Sequence, residues 1–150
     1  MMKKQISIKQ ASMPDEGLAD ALTATSFVTM AVINRIAAEH GLSLSLIRVL
    51  GILWDRRPRM AELADYLGLE KQTMSGLITR AEKRGLVARA PNAEDGRATD
   101  VFLTSEGYEL MKQLRVQGQQ ALAPLIEQLP ASDQQLLQEI LQRMLEARKG

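Results

Sequence analysis

Two short helical segments divided by a single glycine constrain this chain more than any other feature. Before Gly68, the residues Leu63, Ala64 and Leu67 share one face of a helix over Met60 to Leu67. After it, Met74, Leu77, Ile78 and Ala81 do the same over Lys71 to Arg84. Gly68 breaks the first helix and supplies the turn, and Gly85 stops the second. Ala64 is small where one helix must approach the other. Two helices that return their apolar faces to a common core across so tight a turn have helix-turn-helix geometry.

The second helix is divided by chemistry as well as by period. Its outer face carries Lys71, Gln72, Thr73, Ser75, Gly76, Thr79, Arg80 and Lys83, with no acid among them. Hydrogen-bonding and cationic side chains in that arrangement are what a helix needs to enter the major groove of double-stranded DNA. The formal net charge of the chain is only +1, but it is unevenly spread. Lys71, Arg80, Lys83, Arg84 and Arg89 stand against Glu82 alone, so residues 71–89 carry +4 and the remainder −3. A nearly neutral protein thus has a concentrated basic element. Gly76 lies inside this helix, where glycine costs about 0.8–1.0 kcal/mol relative to alanine. Close approach of the backbone to DNA would offset that cost; the alternative is a glycine that is merely tolerated.

Downstream, Leu86 to Ala90 and Thr99 to Leu103 are strand candidates, and the turn-forming run Pro91 to Ala98 between them makes a β-hairpin with a polar loop. Upstream, Ser43 or Ser45 can cap a helix carrying Leu46, Val49, Leu50, Leu53 and Trp54, which ends before Pro58. Leu18 to His40 reads as one long helix stopped at Gly41. It is poor in charge, and a helix apolar around most of its surface is buried on more than one side. In so small a chain, a second subunit supplies the missing cover. Thr104 caps another long helix, which Pro124 is expected to kink or interrupt. Ser132 and Gln135 have capping-box spacing ahead of the last helix, with Leu136, Leu137, Ile140, Leu141, Met144 and Leu145 on its apolar side.

The fold expected is therefore mainly α: a winged helix-turn-helix with a small β-hairpin wing and additional N- and C-terminal dimerisation helices. Residues 1–17 read as a flexible tail, 18–41 and 104–149 as the helical dimerisation region, and 42–103 as the DNA-binding domain. The 150 residues suit one domain with helical extensions. With 3% aromatic residues, the core must be filled by Leu, Ile, Val, Ala and Met, which favours helices.

The absence of cysteine and the single histidine exclude disulfides, thiol redox sensing, cysteine nucleophiles and multi-histidine metal sites, so neither a metal nor a cofactor is expected. No N-terminal signal-peptide pattern is present, and the charge-free stretch from Ala21 to Asn34 is too short to span a bilayer. A cytoplasmic protein without a membrane partner is expected. No nucleophile–base pairing is visible, and His40 has no partner motif, so an enzyme is not expected. A winged-helix protein-interaction module that does not bind DNA is the other alternative. It would present an acidic or apolar outer face over Lys71 to Lys83, which the sequence lacks.

The runs Glu62 to Leu69 (ELADYLGL), Thr73 to Val87 (TMSGLITRAEKRGLV), Glu94 to Arg97 (EDGR) and Val101 to Gly107 (VFLTSEG), in this order and spacing, resemble the multiple-antibiotic-resistance regulator (MarR) family over about Leu42 to Gly107. The resemblance implies a dimeric winged-helix transcription regulator, with terminal helices at the interface and the recognition helix in the major groove. It implies a wing arginine in the minor groove and, in many members, release from DNA by a small, often phenolic or aromatic, anion. Ala81 departs from a usual leucine, and Glu70 from a frequent Ser, Thr or Asp cap. The cysteines and multiple histidines of the family's oxidant- and zinc-sensing members are missing.

On that basis the major-groove residues are Lys71, Gln72, Thr73, Ser75, Gly76, Thr79 and Arg80. Thr73 and Ser75 are the candidates for base edges and Arg80 for phosphate. Arg97 is the minor-groove residue, oriented by Asp95; an exposed, weak ion pair is the plainer alternative. Arg56, Arg57, Arg59 and Lys83 are candidates for phosphate contact, or a solvated basic surface. Thr25, Thr29, Met30, Arg48 and Trp54 could line a small-molecule effector pocket, although helical hydroxyls commonly bond their own backbone. His40 reads as a helix-terminus residue, and the methionines as core filler.

Overall fold

The computed structural model describes residues 14–149, so the first thirteen residues of the expected tail lie outside the described residues. The chain runs α1 (Pro14–Glu39), α2 (Leu44–Leu53), α3 (Met60–Leu67), α4 (Lys71–Lys83), β1 (Val87–Pro91), β2 (Thr99–Leu103), α5 (Ser105–Ile126) and α6 (Ala131–Lys149). This is the mainly helical architecture with one two-stranded sheet that the sequence implies.

The turn between α3 and α4 depends on Gly68. Its φ of 68° lies in the left-handed region, and the Leu69 N–H donates back to the Ala64 carbonyl at 3.0 Å. Ser43 is the cap of α2, accepting from the Leu46 N–H, and Thr104 caps α5 by accepting from the Gly107 N–H. Strands β1 and β2 pair antiparallel, with Val87 opposite Leu103 and Pro91 opposite Thr99. A bridge between Arg59 and Asp100 adds the segment before α3 to the outer edge of this hairpin.

Val49 and Leu50 of α2, Leu63 of α3, Met74 and Ile78 of α4 and Val101 of β2 form the fully buried centre. Ile36 and Ala37 of α1 and Met111 and Leu114 of α5 close it from the other side. At the start of α5, a Cβ on Gly107 would lie 2.0 Å from the Leu86 carbonyl oxygen. Only a glycine lets this helix settle so near the start of the hairpin.

Three local expectations differ. Helix α1 begins at Pro14, ahead of Leu18; proline fits a first helical turn because it lacks an N–H that would be unpaired there anyway. Helix α5 continues through Pro124 and ends only at Ile126, so the proline sits in the last turn rather than dividing the helix. Helix α6 starts at Ala131, directly after Pro130, whose carbonyl accepts from the N–H groups of Asp133 and Gln134; Ser132 is inside the first turn and is not its cap.

The outer faces of α1 and α6 are apolar and, among the described residues, uncovered. Leu18, Phe27 and Val28 of α1 and Leu136, Met144 and Leu145 of α6 are exposed, and no described side chain of α6 is buried. The stretch Gly17–Glu39 is long and apolar enough, with a mean hydropathy of 1.3, to cross a membrane by length and composition alone. The Ala21 to Asn34 criterion therefore understated it. A helix of that character equally suits burial between subunits.

Candidate nucleic-acid interface

Helix α4 turns Met74, Leu77, Ile78 and Ala81 into the core, which fixes what faces outward. Lys71, Gln72, Thr73, Arg80 and Lys83 are exposed, while Ser75, Gly76 and Thr79 are half-buried. Lys71, Arg80 and Lys83 form no ion pair among the described residues, so their charge is available to a polyanion. The Arg80 guanidinium folds back along the helix until its Nη1 lies 3.6 Å from where a Cβ of residue 76 would be.

Two of the five cations counted in this segment are engaged elsewhere. Arg84 donates to the carbonyls of Gly41 and His40 at 2.8 and 2.9 Å, placing its charge where α1 ends. Arg89, on β1, donates from Nε to Glu82 Oε1 at 2.9 Å. Its Nη2 donates to Thr79 Oγ1 at 2.7 Å and to the Ser75 carbonyl at 3.2 Å. Thr79 in turn donates its hydroxyl proton to the Ser75 carbonyl at 2.9 Å. The Thr79 hydroxyl, expected to face DNA, is thus committed within the protein.

At the hairpin tip, Asn92 Oδ1 accepts from the N–H groups of Glu94 and Asp95, each at 3.0 Å, which shapes the turn. Asp95 Oδ1 accepts from the Arg97 N–H at 3.1 Å and from its Nε at 3.4 Å. The Arg97 side chain is nevertheless 95% exposed, so Asp95 aims a guanidinium that remains almost wholly in solvent.

The three arginines around Pro58 do not act as one cluster. Arg57 lies over the Phe102 ring at 3.9 Å and pairs with Asp100 at 3.5 Å, while Asp100, only 7% exposed, also accepts from Asn92 Nδ2 at 2.8 Å. Arg57 therefore neutralises a buried carboxylate at the loop end of β2. Arg56 pairs with Asp55, and the Arg59 N–H donates to Glu62 Oε1 at the start of α3.

The MarR family model matches residues 40–98, which contain α2, α3, α4, β1 and the hairpin loop, ending just before β2. The homoprotocatechuate degradative operon repressor of Escherichia coli is 27% identical over 132 residues, covering 87% of this chain and 88% of the relative. Over residues 40–98 the chain is similar to the MarR family. A further relative, the HTH-type transcriptional regulator YfiV of Bacillus subtilis, is 31% identical over 94 residues. That match spans 61% of this chain and 59% of the length of YfiV. In fold, the chain is similar to the crystal structure of NadR in complex with 4-hydroxyphenylacetate, with a TM-score of 0.71 at 22% identity, covering 85% of this chain and 91% of that one.

The residues considered for an effector pocket fall in separate places. Thr25 and Thr29 lie on α1 beside a groove of about 720 Å³ whose other walls include Leu122 and Leu125 of α5 and Leu137 and Leu141 of α6. Both hydroxyls donate to carbonyls one turn earlier, at 2.7 and 2.9 Å. Trp54 instead stacks on Tyr108 of α5, with ring centroids 4.6 Å apart and planes 8° from parallel, and Arg115 lies over its ring at 4.9 Å. Met30 is exposed on α1, and Arg48 is exposed on α2 without an ion pair among the described residues. His40 directly follows the last residue of α1, at the helix terminus, and its Nε2 pairs with Gln117 Oε1 at 2.9 Å.

The role of Tyr108 as the stacking partner of Trp54 was not legible in the sequence; neither were the inward roles of Arg84 and Arg89. A lone arginine near a basic helix gives no sign of whether its partner is a phosphate or a carbonyl.

Proposed function

We propose that this transcription regulator is a homodimer that binds a pseudo-palindromic operator and acts as a repressor, released by a small aromatic or amphipathic anion. The observation that carries DNA binding is the outer face of α4, where Lys71, Arg80 and Lys83 form no ion pair among the described residues and the one acid of the helix, Glu82, is held by Arg89. The exposed Arg97 at the wing tip supports a second contact, in the minor groove.

Dimerisation is supported by the uncovered apolar faces of α1 and α6, which a lone domain of this size cannot bury. Repression is supported by the Escherichia coli relative, itself an operon repressor, and an aromatic anion by the 4-hydroxyphenylacetate in NadR. In this proposal the effector lies between α1 and the winged region, with Arg48 as its counter-charge. It must bind the DNA-free conformation more tightly than the DNA-bound one, or it shifts nothing. The protein acts in the cytoplasm and catalyses no reaction.

Selection from random duplexes tests the assignment. The parent should enrich a two-fold motif, and Gln72→Ala or Ser75→Ala should change the preferred bases. The same motif from parent and variants would remove Gln72 and Ser75 from base recognition, and no enrichment would remove specific DNA binding.

A further inference from the structure

The Arg89 network carries more than local stability. Arg89 sits on β1, the first strand of the wing, opposite Val101, and its side chain is 28% exposed. Its three hydrogen bonds all end on α4, at Ser75, Thr79 and Glu82. These residues occupy successive turns of the one helix face presented to solvent beside the wing. Glu82 is the single acid in the α4 sequence. Left uncompensated near a phosphate backbone, it would repel the ligand that the rest of the helix attracts.

We propose that Arg89 is a positioning residue for DNA recognition, fastening the wing to the reading face of α4 and neutralising Glu82 without itself touching DNA. This rests on the DNA-binding function proposed above. The planar fork of arginine is what makes the arrangement work: Nε serves the carboxylate while Nη2 serves the Ser75 carbonyl and the Thr79 hydroxyl. A lysine would keep the charge but has one nitrogen, which cannot span those three acceptors.

One consequence concerns which residues read bases. The Thr79 hydroxyl donates to Ser75 and accepts from Arg89, so hydrogen-bonded base reading passes to Gln72, Thr73 and the Ser75 hydroxyl. The wing and α4 then move as one body, and Arg97 keeps a fixed offset from the major-groove residues.

The experiment compares the parent with Arg89→Lys, Arg89→Gln and the double variant Glu82→Gln/Arg89→Gln, which removes both charges together. On the motif selected by the parent, Arg89→Gln should bind about tenfold more weakly, the scale of losing hydrogen bonds to a charged group. The double variant should regain much of that loss and keep the parent's log–log salt slope. Arg89→Lys should stay folded and keep the slope while accepting a broader set of sequences. Without DNA, amide hydrogen exchange over residues 79–83 should be faster in Arg89→Lys than in the parent. A slope shallower by about 0.9 in the double variant would make Arg89 a phosphate contact and overturn the proposal. Parent-like sequence preference and exchange in Arg89→Lys would also overturn it, since charge alone would then suffice. A parent that selects no motif would overturn DNA recognition itself, and the exchange measurement would still decide whether Arg89 fastens α4.

Discussion

Replacing Arg97 by alanine separates DNA binding from folding more cleanly than any other single change. The side chain is 95% exposed and its one ion pair, to Asp95, is 3.4 Å long. Such a pair contributes at most about 1 kcal/mol to stability. In a protein of this size that corresponds to a fall in melting temperature of less than about 4 °C. The turn itself survives, because Asn92 still accepts from Glu94 and Asp95, and the backbone N–H of residue 97 still reaches the Asp95 carboxylate. On DNA, removing such an arginine weakens binding by about 1–3 kcal/mol per half-site, and a two-fold complex has two half-sites. Operator affinity should therefore fall by at least about thirtyfold. The log–log salt slope should flatten by about 0.9 for each phosphate charge that the variant no longer neutralises. Fluorescence anisotropy titrations at several salt concentrations, beside a thermal melt, measure all three quantities. Asp95→Ala should do less, acting only through the aim of the guanidinium. Unchanged affinity and slope for Arg97→Ala would take the wing out of recognition. A large loss of melting temperature would mean that Arg97 acts through the fold instead.

Gly107→Ala should destabilise by about 1–3 kcal/mol or more, since its Cβ would meet the Leu86 carbonyl oxygen at 2.0 Å; an unchanged melting temperature would show that α5 shifts freely. Gly76→Ala meets only the Arg80 guanidinium, at 3.6 Å, so it should stabilise the helix by up to about 1 kcal/mol while weakening operator binding. Parent-like affinity in that variant would return Gly76 to a tolerated glycine. Light scattering at micromolar concentration should give the mass of a dimer, and a monomer would leave the apolar faces of α1 and α6 unexplained.

Much of this molecule is legible in its sequence because local rules decide it. Apolar period and glycine punctuation place α3, the Gly68 turn and α4, and the turn-former run between β-branched segments places the hairpin. Ser43 and Thr104 are recognisable caps for the same reason. What could not be read depends on partners distant in the chain. Arg84 reaches α1 across 43 and 44 residues, and Arg89 and Arg57 find carboxylates whose proximity only the packed fold creates. Counting charge along residues 71–89 therefore located the basic element but overstated its free cations. The effector residues show the same limit. Thr25 and Trp54 belong to different surfaces, because the direction each helix face takes is set by the assembly of α1, α5 and α6.

The most direct test of two-fold recognition by α4 and the wing is a hydroxyl-radical footprint on the duplex motif selected by the parent protein. Two symmetric protected regions should appear, with half-sites about 10 bp apart or a multiple of that. Minor-groove protection beside them should be absent with Arg97→Ala. A single protected half-site, or protection spread evenly along the duplex, would contradict a dimer that places one α4 and one wing in each half of its operator.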